Sequence, residues 1–127
     1  MIVKMKTINE EVKERWQDTK EYQEYSVKTK SYSQEKWQYL ASRMNEIFYL
    51  ISELKNSGLS ADALEVQLLI KKLQEFISDN YYQCSDEVFL GLGKMYVEDE
   101  RFKNNIDKNG IGTAKYVYDA IQIYLKK

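Results

Sequence analysis

The sequence predicts an all-α domain, and three observations carry that expectation. Proline is absent from all 127 residues, so nothing in the chain forces a helix to stop by removing its amide donor. Large apolar residues recur three or four positions apart over long stretches, the period of a helix face. Nowhere does the apolar–polar alternation of a half-buried strand run, and there is no internal repeat or low-complexity linker.

Turn-forming residues divide the chain at Asp18-Thr19, Ser31 to Ser33, Asn56-Ser57-Gly58, Gln83-Cys84-Ser85, Asp99 and Asn109-Gly110. In the first third, Glu10 to Trp16 and Thr19 to Lys30 read as helical by propensity. Their large side chains are mostly rings (Trp16, Tyr22, Tyr25, Tyr32), with little aliphatic surface. Such helices gain little from burial and dock weakly. They suit a lid over a ligand; the plainer reading is a peripheral helix pair.

A long helix follows, because Trp37, Leu40, Met44, Ile47, Phe48, Ile51 and Leu54 draw one apolar stripe. Ser33 is placed to cap its N-terminus, and Gly58 stands where a left-handed C-cap belongs. The next helix is expected from Ala61 to Tyr81, capped by Ser60, with Val66, Leu69, Ile70, Leu73 and Ile77 inward. The short connection through Gly58 and Ser60 makes these two helices antiparallel neighbours. A shorter helix, Asp86 to Val97, presents Val88, Leu92 and Met95; Asp99 caps a further turn or two through Phe102 and Ile106. The last helix starts near Gly112 and carries Ala114, Val117, Tyr118, Ile121, Tyr124 and Leu125.

Composition narrows the function. Nineteen basic against 20 acidic residues leave a net charge of −1, without the basic excess that phosphate neutralisation gives nucleic-acid modules. No direct nucleic-acid contact is expected of this chain. The opening Met1-Ile2-Val3-Lys4-Met5-Lys6 is too short and too charged for a secretory h-region. No apolar run approaches the roughly 20 residues of a membrane helix. One cysteine, Cys84, permits no intrachain disulfide. These features together suit a soluble, cytoplasmic protein with no membrane partner, and they leave oligomeric state open. Histidine is missing, which removes histidine acid–base catalysis, Ser-His-Asp triads and histidine metal sites together. The carboxylate runs Glu10-Glu11, Asp86-Glu87 and Glu98-Asp99-Glu100 read as helix-start charges and solvated surface. Gly91-Leu92-Gly93 lacks the strand of a phosphate loop; its glycines suit the close approach of a helix or a ligand. No catalytic residue, metal or cofactor is expected.

Cys84 sits in Tyr81-Tyr82-Gln83-Cys84-Ser85-Asp86, between two helices. Near a helix N-terminus the dipole lowers a thiol pKa and makes the sulfur reactive. The alternative is a small, half-buried packing residue. Aromatic side chains are abundant, with 11 Tyr, 4 Phe and 2 Trp. Trp37, Phe48 and Phe76 read as core, while Tyr81, Tyr82, Phe89, Tyr96 and Phe102 crowd the Cys84 turn densely enough to form the wall of a pocket.

Two stretches resemble a known family. Glu11-Val12-Lys13-Glu14-Arg15-Trp16-Gln17-Asp18-Thr19 with Tyr22 is similar to the opening of the TipAS antibiotic-recognition domain. So is Tyr82-Gln83-Cys84-Ser85-Asp86-Glu87 followed by Gly91-Leu92-Gly93-Lys94-Met95-Tyr96-Val97-Glu98-Asp99-Glu100-Arg101-Phe102. The likeness runs from about Glu11 to Tyr124. It implies a globin-like all-α fold with a ligand cleft, a short tail over 1–9 and the domain over 10–127. It also implies large ligands such as thiopeptides or albicidin-like compounds, bound by the effector end of a MerR-type transcription regulator or by a stand-alone resistance protein. In such domains the N-terminal segment is ordered on binding, and a cysteine can add to a dehydroalanine of the drug. The sequence departs from the family where Leu73-Gln74 replaces a histidine-arginine pair, Asn80 an aromatic and Phe89 a histidine, which makes the pocket more apolar. The expected ligand contacts are Trp16, Tyr22, Trp37, Tyr81, Tyr82, Cys84, Phe89, Met95, Tyr96 and Phe102, with Cys84 the candidate for covalent attachment. The competing reading is a helical protein-interaction domain whose exposed tyrosines meet a partner helix.

Overall fold

A computed structural model describes residues 19–126. Six helices follow one another: α1 Lys20–Thr29, α2 Gln34–Asn56, α3 Leu64–Asn80, α4 Asp86–Glu98, α5 Glu100–Asp107 and α6 Thr113–Leu125. Among the described residues there is no strand, and no helix is long and apolar enough to cross a membrane. The expected segments Glu10 to Trp16 and the 1–9 tail lie outside the described residues.

Most boundaries have a local cause. Thr19, Ser33, Ser85 and Asp99 each accept a first-turn backbone amide, from Tyr22, Lys36, Val88 and Arg101 respectively, satisfying donors the helix itself leaves orphaned. The end of α2 is closed by Gly58 at φ 94°. There the Gly58 amide donates to the Lys55 carbonyl (3.1 Å) and the Leu59 amide to that of Leu54 (3.2 Å), the paired bonds of a Schellman cap. Ser60 does not cap α3. Its hydroxyl is held by the Asp62 carboxylate, and Ser60 to Ala63 form a turn closed by Ala63 N–H to Ser60 C=O at 3.0 Å. The helix therefore starts at Leu64, without a side-chain cap.

The core lies between α2, α3, α4 and α6. Ile51, Val66, Ile70, Leu73, Val117 and Ile121 are fully buried and belong to one contiguous cluster. At about 25 cal/mol per Å² of apolar surface, this is where most of the stability arises. The closest seam is α4 against α6. A Cβ on Gly93 would come within 3.0 Å of both the Ile121 and Tyr118 side chains, whereas Gly91 faces open space. Only the second glycine of the Gly91-Leu92-Gly93 run is there for close approach, and what approaches is a helix. Polar ties fix the far end: Ser52 donates to the Asn109 carbonyl at 2.9 Å, and Asp107 accepts from the Ala114 amide at 2.8 Å, capping α6 from the preceding helix.

Trp37 and Phe76, read from sequence as core, are only partly buried. Helix α1 buries a single residue, Thr29. It is held instead by rings and by a few long-range polar contacts: Lys28 Nζ to the Ser78 carbonyl (3.0 Å) and the Gln83 amide to the Glu24 carboxylate (3.1 Å). The adjoining Tyr32 hydroxyl donates to the Asn80 carbonyl at 2.6 Å.

Candidate functional site

The weak packing of α1 leaves a cavity of about 300 Å³ between that helix and the core, within the usual size range of small-molecule sites. Four elements and one turn build it. Helix α1 contributes Glu21, Tyr22 and Tyr25; α2 contributes Trp37, Met44 and Phe48; the end of α3 and its turn supply Ile77, Tyr81 and Tyr82. Helix α4 brings Val88, Leu92, Met95 and Tyr96, and α5 closes the far side with Phe102, Asn105 and Ile106.

Two ring clusters border it. In the first, Tyr25, Trp37 and Tyr81 contact one another, with centroid separations of 6.1 Å (Tyr25–Trp37), 6.3 Å (Tyr25–Tyr81) and 6.1 Å (Trp37–Tyr81, near-parallel at 19°), while Tyr22 adds to Tyr25 at 5.9 Å. In the second, Tyr96 stands edge-on to Phe48 at 5.7 Å and lies 6.2 Å from Phe102. Such separations are those of attractive ring pairs. Each cluster braces its own rings, so the faces left toward the cavity are held in place.

Burial governs the chemistry. It pushes the Tyr81 phenol up to about 12, with Tyr25 and Tyr32 adding to the rise. Burial likewise raises Tyr96 and Tyr82 well above the ordinary phenol value. These hydroxyls are therefore neutral donor–acceptors at physiological pH. Among the described residues, no group of three or more Cys, Asp or Glu side chains is placed to hold a metal ion.

Of the ten residues expected from sequence to touch a ligand, seven line the cavity: Tyr22, Trp37, Tyr81, Tyr82, Met95, Tyr96 and Phe102. Trp16 lies outside the described residues. Phe89 is elsewhere: fully buried, it stands edge-on to Tyr124 of α6 at 6.4 Å. The reason is angle and height along the helix together: Val88, Leu92 and Met95 share one face of α4 at the i, i+4, i+7 spacing and Phe89 is turned about 100° from it, while Tyr96, in Phe89's direction but two turns later, reaches the cavity beside Phe102.

Cys84 also lies outside the lining. It is 3% exposed, its amide donates to the Ser78 hydroxyl (3.0 Å) and its carbonyl accepts from Gln74 (2.9 Å). The sequence argument for a lowered thiol pKa fails here: burial, with the Asp86 carboxylate, pushes the thiol up to about 12. Desolvation of a thiolate outweighs the helix dipole, and Cys84 precedes the cap residue Ser85 rather than standing in the first turn of α4.

Reasoning from sequence missed Glu21, Tyr25, Met44, Phe48, Ile77, Val88, Leu92, Asn105 and Ile106 as lining residues. Tyr25 carried a usable signal, since it sits three residues from Tyr22 and so on the same face of α1. The α2 residues carried none, because core and cavity wall share one apolar stripe.

Comparison with known proteins places this geometry. Residues 8–124 match the family described as the TipAS antibiotic-recognition domain. The HTH-type transcriptional activator TipA of Streptomyces coelicolor is 38% identical over 112 residues, 88% of this chain and 44% of that protein. The HTH-type transcriptional activator mta of Bacillus subtilis is 31% identical over 102 residues, 80% of this chain and 39% of that protein. The chain thus spans less than half the length of the curated relatives it matches. Among solved structures, TipAS of Streptomyces lividans in complex with nosiheptide superposes with a TM-score of 0.84 at 36% identity, covering 93% of this chain and 82% of that one.

Proposed function

Because this chain belongs to the TipAS antibiotic-recognition domain family, we propose that it binds a bulky hydrophobic antibiotic, of the thiopeptide class, in the aromatic cavity under α1. It would do so as the drug sensor of a MerR-type transcription regulator or as a protein that sequesters the drug. The observation that carries this reading is the cavity itself: about 300 Å³ of space walled by two braced ring clusters, in a chain whose structural neighbour was solved with nosiheptide.

The physical account is binding rather than catalysis. Rings supply rigid apolar area, and neutral tyrosine hydroxyls supply orientation at little ordering cost. A cavity of this size holds a few fused or linked rings, so a whole thiopeptide inserts one part of itself and leaves the rest against α1 and the cavity mouth. Attachment through Cys84 is not part of the proposal, because the thiol is buried behind the wall and protonated.

The test is nosiheptide with the whole chain. At a hundredfold excess over Kd, a specific ligand should add about 2.7 kcal/mol to unfolding stability and raise Tm accordingly. Trp37→Ala and Phe102→Ala should each weaken binding at least about tenfold, while Cys84→Ser leaves it within a factor of about three. No rise in Tm, together with no thiopeptide bound by calorimetry, refutes drug binding. A mass adduct that Cys84→Ser abolishes refutes the non-covalent form of it.

A further inference from the structure

Glu21 stands apart on this lining. Every other residue bordering the cavity is apolar, aromatic or a neutral amide, so among the described residues Glu21 is the one charged group there. Among the described residues, no lysine or arginine borders the space. Its neighbour Glu24 is engaged by the Gln83 amide, but Glu21 itself has no hydrogen bond or ion pair among the described residues. Glu21 borders the cavity from α1, and its charge adds to the burial, Tyr96 and Cys84 that hold the Tyr82 hydroxyl in its neutral form. The ring cluster members Tyr22, Tyr25, Trp37 and Tyr81 line the same cavity.

We propose that the cavity selects hydrophobic cations, with the Glu21 carboxylate as counter-charge and the faces of Tyr25, Trp37 and Tyr81 as the surface on which the cation rests. This rests on the reading of the cavity as the ligand site and names the charge class of its guest. Closing any guest over Glu21 strips water from an unpaired carboxylate, a cost that a neutral or anionic guest leaves uncompensated. A cation restores the lost solvation as a direct attraction, and the electron-rich ring faces add to it. A binder with no charge preference would need no acid here, and a neutral Gln would pack equally well.

Tetraphenylphosphonium and tetraphenylborate separate the two cases, being nearly identical in shape and opposite in charge. Calorimetry on the whole chain should show the phosphonium bound at least about tenfold more tightly than the borate. Glu21→Gln should bring the two within about threefold, and Glu21→Lys should reverse their order. Glu21 is partly exposed and unpaired, so both variants should fold, which circular dichroism checks. Equal affinities in the unmodified protein, binding of neither ion, or a preference that survives Glu21→Gln overturns the inference. Nosiheptide in parallel keeps the two claims distinct: if it binds while the ions are not discriminated, only charge selection falls. If neither it nor the ions bind, the ligand site falls as well.

Discussion

Where α4 meets α6, a glycine lets two helices touch against the Ile121 and Tyr118 side chains, and Phe89 and Ile121 are fully buried there. Where α1 meets α2 and the Tyr81–Ser85 turn, contact is made by rings that stay half-exposed, and one threonine is all that the helix buries. Both regions are helical. They differ in the shape of what they bury. Branched aliphatic chains interdigitate and exclude voids, whereas large planar rings meeting at an angle leave gaps between them. The aliphatic half sets stability; the aromatic half leaves room for a guest.

Truncations should separate the halves. Leu73→Ala, in the fully buried cluster, is expected to cost about 2–5 kcal/mol of unfolding stability by leaving a cavity. Tyr25→Ala, on α1, should cost under about 1 kcal/mol yet weaken nosiheptide binding at least about tenfold. Chemical denaturation and calorimetry on both variants decide it, and similar stability losses would erase the distinction.

Alkaline pH should act most on the cavity wall and the Cys84 turn behind it, where burial raises Tyr81, Tyr82, Tyr96 and Cys84 furthest. A thiol or phenol whose folded pKa lies above its unfolded value stabilises fully below the unfolded pKa and loses that contribution as pH rises toward the folded one. With Cys84 raised from 9.0 to about 12 and Tyr81 from 10.0 to about 12, the window opens near pH 9. Cys84 should subtract up to about 1.4 kcal/mol per pH unit above pH 9, and Tyr81 should add its own loss only above about pH 10. Denaturation midpoints between pH 8 and 11 should fall, less steeply in Cys84→Ser; a flat profile would mean that these groups are solvated.

The smallest effect concerns motion. Amide exchange in α1 of the free protein should be faster than in α3 and should slow when nosiheptide is added. Equal protection with and without ligand would show that α1 is no part of closure.

Helix existence was legible in the sequence because period and caps agree: Ser33, Gly58 and Asp99 act where their chemistry puts them. Ser60 misled because the side chain two residues on competes for its hydroxyl, a contest that position alone does not reveal. The site was legible as a set of rings around the Cys84 turn, but not as a surface. Phe89 and Val88 are adjacent in sequence, and their angle about α4 sends one to the core and the other to the cavity. Glu21 carried no signal in the sequence, because it shares a cavity with Trp37 and Tyr81, distant along the chain, only in the fold.

The polar ties of α1, Lys28 to Ser78 and Glu24 to Gln83, connect a cavity wall to the backbone around the end of α3. If the cavity holds a guest as proposed, the guest would leave most easily when α1 lifts, and these exposed ties, which never touch it, would then share with the rings of α1 in setting how long the complex lasts.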